Sequence, residues 1–218
     1  MSEYRFMNQL IEKEHIPTPA YVFDLDKMKE FAEKVKRCLT GKAEICYAMK
    51  ANPFLIKPML EIVSSLEVCS PGEFRICERA GIPMEKIVLS GVYKNPDDIA
   101  YMLDTYGNRG TYTVESLQHL KVLNDTAVRH GITLSVLIRV TSGNQFGIDE
   151  AEIRKIISER EKYTGIEIEG IQFYSGTQKR NLSQMQEELK HLDTFIRELE
   201  EIGGMEIRTL EYGPGFFV

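Results

Sequence analysis

Short apolar runs alternate with longer amphipathic stretches along almost the whole chain. The runs "KIVLSG" and "LSVLIRV", for example, are each bounded by more polar segments. Short apolar runs of this kind predict buried strands. We predict seven strands, at residues 44–50, 65–70, 86–91, 110–114, 134–140, 166–176 and 208–215.

The stretches between these runs carry apolar residues at helical spacing. In the last of them Met185, Leu189 and Leu192 recur at intervals of three or four, and a glycine pair follows. Regular alternation of strands and helices predicts a parallel sheet with crossover helices, and the spacing of the strands is typical of a (β/α)8 barrel. We predict helices at residues 54–64, 72–81, 95–106, 115–130, 149–163 and 181–203.

The predicted strand count stops at seven, because no eighth apolar run follows "GPGFFV". An open parallel barrel would expose two long edges, which natural folds avoid. We therefore expect an α/β fold, a TIM-type barrel truncated after strand seven, as part of a longer polypeptide. Residues 1–40 are predicted as a lead-in segment with a helix that starts near Asp24 or Asp26, and residues 41–218 as the incomplete barrel domain.

Composition and charge narrow the class of protein. The chain has 218 residues, of which 43% are hydrophobic and 28% charged, as in soluble globular proteins. Its net charge of −6 and the absence of a basic run argue against a nucleic-acid partner. No apolar stretch approaches the ~20 residues of a membrane span. The four cysteines form no CxxC pair and the four histidines are scattered, so we expect reduced cysteines in a cytosolic protein and no metal site.

The strand ends supply the candidate chemistry, since barrels of parallel strands place their active sites there. Lys50 ends the first predicted strand, on one face with Cys46 and Ala48. Burying an ammonium group is costly unless it is paired. Lys50 therefore either marks where the strand surfaces or is a reactive amine. The other strands contribute Glu67, Ser70, Arg139, Tyr174, Ser175, Thr177 and the turn "YGPG".

The glycine-rich turn after the seventh predicted strand is typical of a phosphate site in barrel enzymes. Gly213 and Gly215 would let the backbone approach phosphate oxygens closely. A lysine amine opposite such a turn, with an aromatic ring between them, suits pyridoxal 5′-phosphate (PLP).

The sequence resembles a known family. "YAMKANP" is similar to the Schiff-base lysine motif of the fold-type-III PLP-dependent ornithine/diaminopimelate/arginine decarboxylases, whose barrel is alanine-racemase-like. The resemblance covers nearly the whole chain in the family's order. It includes "TPAYVFDLD", "LEVCSPGEFRICERAGIP", "IVLSGVYKNPDDI", "LIRVTSGNQFGI", "GIQFYSGTQ" and "LEYGPGFFV".

The resemblance implies roles for single residues. Lys50 matches the catalytic Schiff-base lysine, Glu67 stands where the family usually has an aspartate near the cofactor, and Arg139 matches the arginine of strand five. Thr177 replaces a serine on the phosphate side. Gly213, Pro214 and Gly215 match the phosphate loop, and Tyr174 matches the family's ring-stacking histidine.

Two of these positions depart from the family's pattern. Pro214 replaces the middle glycine of a triple-glycine loop, and Tyr174 replaces a ring-stacking histidine. A tyrosine can stack on a ring but cannot act as a protonated imidazole. The family's pyridine-pairing glutamate belongs to strand eight, and further active-site residues belong to a C-terminal β domain, so neither is expected on this sequence.

The function that the resemblance implies is PLP-dependent decarboxylation of an amino acid, or of an aminoacyl group on a carrier protein, through a Lys50 Schiff base. The enzyme would be a cytoplasmic homodimeric carboxy-lyase of polyamine or lysine biosynthesis, inactive as this part alone. Two alternatives stay open. One is a non-enzymatic regulatory homologue that has lost the cofactor, and the other is a racemase of the same fold, although "KANPFLIK" differs from the racemases' "KANAYGHG"-like stretch.

Some of the same residues also have structural interpretations. Ser70, Pro71 and Glu73 together predict a capping box at a helix start. Arg139 could be an interior ion-pair partner, of Glu67 for example, and Tyr174 could be a core aromatic side chain with its hydroxyl satisfied.

Overall fold

The computed structural model describes residues 3–217, and Met1, Ser2 and Val218 lie outside the described residues. The chain divides into two compact units, residues 1–45 and residues 46–218. The boundary predicted after residue 40 stays a prediction.

The first unit contains two helices, α1 (Glu3–Lys13) and α2 (Leu25–Leu39). The predicted helix α2 begins after Asp24, whose Oδ1 accepts a hydrogen bond of 3.0 Å from the main-chain N–H of Lys27. Asp24 is therefore the N-cap, and Asp26 lies in the first turn, where a negative charge is favourable. Helix α1 was not predicted, because its amphipathic signal spans only three turns of a mostly polar segment.

The second unit contains one parallel sheet of seven strands in sequence order. Each strand pairs with the next in parallel register, so each connection is a crossover. The predicted α/β barrel fold is confirmed for these seven strands. They are β1 (Cys46–Ala48), β2 (Ser65–Val68), β3 (Ile87–Leu89), β4 (Thr111–Val114), β5 (Leu134–Val140), β6 (Ile166–Tyr174) and β7 (Thr209–Gly213).

A helix fills each connection, as the amphipathic pattern predicted. Two of these helices are shorter than predicted. A 3₁₀ turn at Pro53–Leu55 precedes the helix between β1 and β2, and another at Arg160–Lys162 follows the helix between β5 and β6. Apolar side chains from both layers, including Leu66, Val136, Phe74 and Leu123, form the buried core. The helices are α3 (Ile56–Leu60), α4 (Pro71–Ala80), α5 (Pro96–Tyr106), α6 (Leu117–His130), α7 (Glu150–Ser158) and α8 (Leu182–Gly203).

The start of α4 follows the predicted cap with one difference. Ser70 Oγ accepts from the main-chain N–H of Glu73 at 3.2 Å, and Pro71 occupies the first helical position. The Glu73 carboxylate, however, accepts from the N–H of Cys69 at 2.8 Å instead of from that of Ser70. The reciprocal bond of a capping box is thus shifted by one residue, and it fixes the segment that leads from β2 into the helix.

The sheet is curled, as a side-chain contact across it shows. Gln172 on β6 donates a 2.9 Å hydrogen bond from Nε2 to Oγ of Ser90, which follows β3. In a flat sheet, strands three places apart would be separated by roughly 14 Å, which is too far for these side chains. Both residues are buried, so the curl encloses an interior at the carboxyl ends of the strands.

Candidate active site

Lys50 lies just beyond β1, in a 3₁₀ turn at Met49–Ala51. The expectation that the first strand ends in Lys50 was therefore wrong by two residues. Lys50 is outside the strand, so the alternation of strand side chains does not place it on one face with Cys46 and Ala48. The strand ends early because Met49 turns inward and is fully buried. Lys50 still projects from the carboxyl end of β1, where barrel active sites lie.

Two side chains of the β2 segment contact the Lys50 amine. Its Nζ lies 3.2 Å from Oε2 of Glu67 and 3.3 Å from Sγ of Cys69. Partial burial lowers the pKa of Lys50, but the negative charge of Glu67 and the contact with Cys69 outweigh burial, and the net pKa is raised. At neutral pH the amine is therefore protonated, with Glu67 as its counter-ion.

Cys69 was expected only as one of four reduced cysteines, and its contact with Lys50 was not predicted. Burial, and then the charge of Glu67, raises the pKa of Cys69 to about 11, so its thiol is neutral at physiological pH. Within residues 3–217, none of the four cysteines forms a disulfide bond. The signal for Cys69 in the sequence is its position directly after β2.

Arg139 on β5 pairs with Glu115, and the suggested pairing with Glu67 was wrong. Its Nη1 lies 2.7 Å from Oε2 of Glu115, whose side chain is 1% exposed. Glu115 directly follows β4, the sheet neighbour of β5, whereas Glu67 lies on β2. The sequence prediction did not include Glu115. The signal that could have identified it is a charged residue directly after a strand.

Lys94 is a second cation close to Glu115. Its Nζ donates to the carbonyl oxygen of Gly91 at 2.7 Å and to Oγ1 of Thr113 at 3.4 Å. Burial lowers the pKa of Lys94 to about 8, against the opposing effect of the Glu115 charge. Sequence reasoning missed Lys94, because it lies five residues beyond the end of β3 and outside any strand pattern.

The interior also holds a buried carboxyl group on β7. Glu211 accepts from Gln172 Nε2 at 3.1 Å through Oε1, while Oε2 has no hydrogen-bond partner among the described residues. Burial, and then the charge of Glu67, raises the pKa of Glu211 to about 7. Glu67 on β2 is close enough to affect the pKa of Glu211 on β7 because the sheet is curled. Sequence reasoning considered only the glycines of "LEYGPG" and missed this side chain.

The glycine-rich turn after β7 lies against the turn after β6. A Cβ atom added at Gly215, whose φ is +60°, would lie 1.9 Å from the carbonyl oxygen of Gly176, and one at Gly213 would lie 2.6 Å from the ring of Tyr174. Glycine is therefore required at position 215, whereas a side chain at position 213 would have to displace the Tyr174 ring. Among residues 3–217, no hydrogen bond is donated by the main-chain N–H of Gly176 or Gly215, and Pro214 has no N–H to donate.

The two other predicted residues of this turn differ in their surroundings. Tyr174, at the end of β6, is 36% exposed, so the interpretation as a buried core aromatic was wrong. Its ring lies beside Gly213. Thr177 is exposed, and its Cα lies next to the Gly215 backbone. The structure therefore brings Tyr174, Thr177 and the glycines together in one pair of loops.

Other parts of residues 3–217 offer no competing site. A cavity of about 480 Å³ opens near Thr133, Ile166 and Arg208, at the amino ends of β5, β6 and β7. Active sites of parallel barrels lie at the other end. No group of three or more His, Cys, Asp or Glu side chains in this part of the chain could hold a metal ion. None of its helices combines the length and apolar character needed to cross a membrane.

A family model described as the pyridoxal binding domain of pyridoxal-dependent decarboxylases matches residues 25–218. The chain belongs to this family. The match includes all seven strands of the sheet. The predicted family is therefore confirmed, and the cofactor of this pyridoxal-binding domain is PLP, as the glycine turn and the lysine predicted.

Known relatives extend this comparison. A diaminopimelate decarboxylase of Aquifex aeolicus is 31% identical over 215 residues, which are 91% of this chain and 50% of that protein. The crystal structure of diaminopimelate decarboxylase from M. jannaschii is similar with a TM-score of 0.81 at 28% identity, over 96% of this chain and 53% of that one. SrLDC in complex with PLP and cadaverine has a TM-score of 0.83 at 25% identity, over 100% of this chain and 55% of that one. This chain thus spans about half the length of these relatives.

The residues at the carboxyl ends of the strands fit PLP. Lys50 offers a primary amine beside a carboxylate, and the main-chain N–H groups of Gly176 and Gly215 are available to an anion. The loops after β6 and β7 approach each other so closely that Gly215 has no room for a side chain. Backbone N–H groups of glycine-rich turns bind phosphate well, so the donor set matches the phosphate end of the cofactor.

Proposed function

We propose that this chain is the cofactor-binding part of a longer PLP-dependent decarboxylase that acts on an amino acid, with Lys50 as its Schiff-base lysine. The observation that carries the proposal is the Lys50 amine, held by Glu67 and Cys69 at the same end of the sheet as the glycine turn. Relatives that are diaminopimelate decarboxylases support the reaction class, and the chain's coverage of half their length supports the role as one part.

Lys50 and Glu67 would control a proton. The raised pKa keeps the Lys50 amine protonated in the absence of cofactor, and an ammonium group is not a nucleophile. Glu67, at 3.2 Å, is the base positioned to hold the proton that Nζ releases. When bound, PLP supplies an aldehyde carbon for this amine and a ring that accepts the electron pair left by loss of CO2.

The two loops would bind and orient the cofactor. Gly176 and Gly215 would donate main-chain N–H groups to the phosphate, and Gly213 would keep the Tyr174 ring in place. Because Pro214 removes the middle donor, Thr177 is the nearby side chain that would supply a hydroxyl instead. Tyr174 would stack on the pyridine ring, since it is partly exposed and lies at the strand end.

Arg139 would contribute a positive charge from the opposite wall. Its guanidinium is fixed by the buried Glu115 and lies 5.2 Å from the ring of Phe146. A guanidinium held in this way loses little entropy when it contacts an anionic or aromatic group. We propose that Arg139 orients the cofactor ring.

Borohydride trapping tests the proposal on the full chain. PLP is added, borohydride reduces any carbon–nitrogen double bond, and peptide mass spectrometry locates the modified lysine. We expect the mass of the reduced cofactor on Lys50, with visible absorbance before reduction, and loss of both in Lys50→Ala. Decarboxylation is then measured on the longer enzyme as CO2 released from diaminopimelate, lysine and ornithine.

Lys57→Ala is the matched control, since Lys57 is an exposed lysine of the nearby α3. It should trap as much cofactor as the unchanged chain. Equal trapping in Lys50→Ala would contradict the assignment of Lys50. A chain that binds no PLP at all would instead favour the non-enzymatic homologue.

A further inference from the structure

Glu188, on the outer helix α8, accepts hydrogen bonds from side chains of two segments that flank the glycine turn. Ser175 Oγ donates to its Oε1 at 2.6 Å. Lys179 Nζ and the Tyr212 hydroxyl donate to its Oε2 at 2.7 Å and 2.6 Å. Ser175 and Lys179 belong to the loop after β6, and Tyr212 lies on β7 directly before the turn.

This cluster is ionic and largely buried. The side chains of Lys179 and Glu188 are 5% and 13% exposed. Burial raises the pKa of Glu188, but hydrogen bonds from Lys179, Ser175 and Tyr212 outweigh burial and lower it to about 2. The carboxylate is thus ionised throughout the physiological range. Charge-assisted hydrogen bonds of this kind are short and directional, so they restrict the positions of the groups they join.

Lys179, the ion-pair partner of Glu188, also contacts the glycine turn. The main-chain N–H of Lys179 donates to the carbonyl oxygen of Gly215 at 2.8 Å, and Lys179 forms a parallel bridge with Phe216. The Lys179 amine lies 5.4 Å from the Tyr212 ring centroid, so the same side chain contacts the strand before the turn. Through Lys179, α8 is connected to both loops that present the Gly176 and Gly215 N–H groups.

We propose that Glu188 is a positioning residue for the cofactor's phosphate, which keeps residues 175–179 and 213–215 at the spacing that lets Gly176 and Gly215 both donate to it. The inference rests on the proposed function. Glu188 itself lies outside the barrel interior and contacts the loops, so it acts through Lys179, Ser175 and Tyr212. The sequence showed α8 only as a packing helix.

The test compares PLP with pyridoxal, which has the same aldehyde and ring but no phosphate. Glu188→Gln leaves Lys179 buried without its counter-ion and weakens the hydrogen bonds that join the loops. We expect the apparent Kd for PLP to rise roughly tenfold or more, while the Kd for pyridoxal changes by less than about twofold. Inorganic phosphate should also compete with PLP less effectively in the variant than in the unchanged chain.

Glu198→Gln is the control, because Glu198 lies on the same helix and its ion pair, to Arg154 at 2.6 Å, faces α7. It should bind PLP as the unchanged chain does. If Glu188→Gln fails to fold by circular dichroism, Tyr212→Phe and Ser175→Ala each remove one donor and no charge, and the same selective loss is expected. An equal loss for PLP and pyridoxal, or no loss, would overturn the inference. If the unchanged chain traps no cofactor on Lys50, the proposed function fails and this inference fails with it.

Discussion

Arg139 Nη1 lies 2.7 Å from Glu115 Oε2, and this pair joins β5 to the end of β4 inside the curled sheet. Glu115 also lies close to the half-buried Lys94, through Thr113 between them. One buried carboxylate therefore balances two cations. Removing it would take away the ion-pair partner of Arg139 and the acid beside Lys94, which is costly in a poorly solvated interior.

Glu115→Ala should therefore destabilise the fold by about 3–5 kcal/mol, the usual cost of breaking a buried ion pair from one side. Urea unfolding measures the change in free energy. Glu159→Ala is the comparison, since Glu159 pairs with the exposed Lys162 at 2.9 Å, and surface pairs contribute about 0–1 kcal/mol. Similar losses in the two variants would show that the Arg139 pair is not buried as described.

Glu211 should make stability depend on pH. Burial raises its pKa from 4.5 to about 7, so between these values the folded chain binds a proton that the unfolded chain has released. The contribution to the free energy of unfolding is complete below pH 4.5 and is lost as pH rises through 7. At 1.36 kcal/mol per pKa unit the loss is roughly 3 kcal/mol.

Glu211→Gln should remove this loss, because the amide resembles the protonated carboxyl group and cannot ionise. Urea unfolding of both proteins at pH 5 and pH 8 gives the comparison. The variant should gain stability relative to the unchanged chain as pH rises. Glu188, whose pKa is lowered to about 2, stays ionised over this range and adds no slope. Parallel pH profiles would refute the assignment to Glu211.

Glu67→Gln should shift the pH at which Lys50 reacts. The charge of Glu67 raises the pKa of Lys50 against the lowering effect of burial. Without that charge the pKa of Lys50 falls, so the reactive unprotonated amine forms at lower pH. The rate of cofactor attachment, followed by absorbance across pH, should show a lower midpoint in the variant. An unchanged or higher midpoint would contradict the role of Glu67.

Gly215→Ala should weaken cofactor binding by more than its backbone strain accounts for. An added Cβ would lie 1.9 Å from the Gly176 carbonyl oxygen, so the loops after β6 and β7 must separate. We expect roughly tenfold or more weaker PLP binding, since small displacements of binding groups are costly. Equilibrium titration of PLP absorbance gives the affinities.

Gly204→Ala is the matched control for this change. Its φ of +56° is close to the +60° of Gly215, but no atom lies within 4 Å of an added Cβ. Both variants therefore carry a left-handed strain of about 1–2 kcal/mol, and only one disturbs the loops. Equal PLP affinity in the two variants would exclude the proposed contact between the Gly215 turn and the phosphate.

The sequence by itself determined the local elements and their order. Seven apolar runs became seven parallel strands, and Ser70 and Asp24 became helix caps, because these outcomes depend on residues within a few positions of one another. The motif around Lys50 and the glycine turn also identified the family. Sequence reasoning was least accurate at element ends, as Lys50 shows, where packing of Met49 decides how far a strand extends.

Only the tertiary structure decided which side chains meet. Arg139 pairs with Glu115 and not with Glu67 because the register of β4 against β5 places them together. The contact between Gln172 and Ser90 joins residues 82 positions apart, and the Glu188 cluster joins α8 to Tyr212, 24 positions further along the chain. Such contacts depend on sheet curvature and on how α8 lies against the loops, and neither leaves a periodic signal in the sequence. Local pattern therefore fixes the elements, while long-range packing sets the charges and hydrogen bonds of the site.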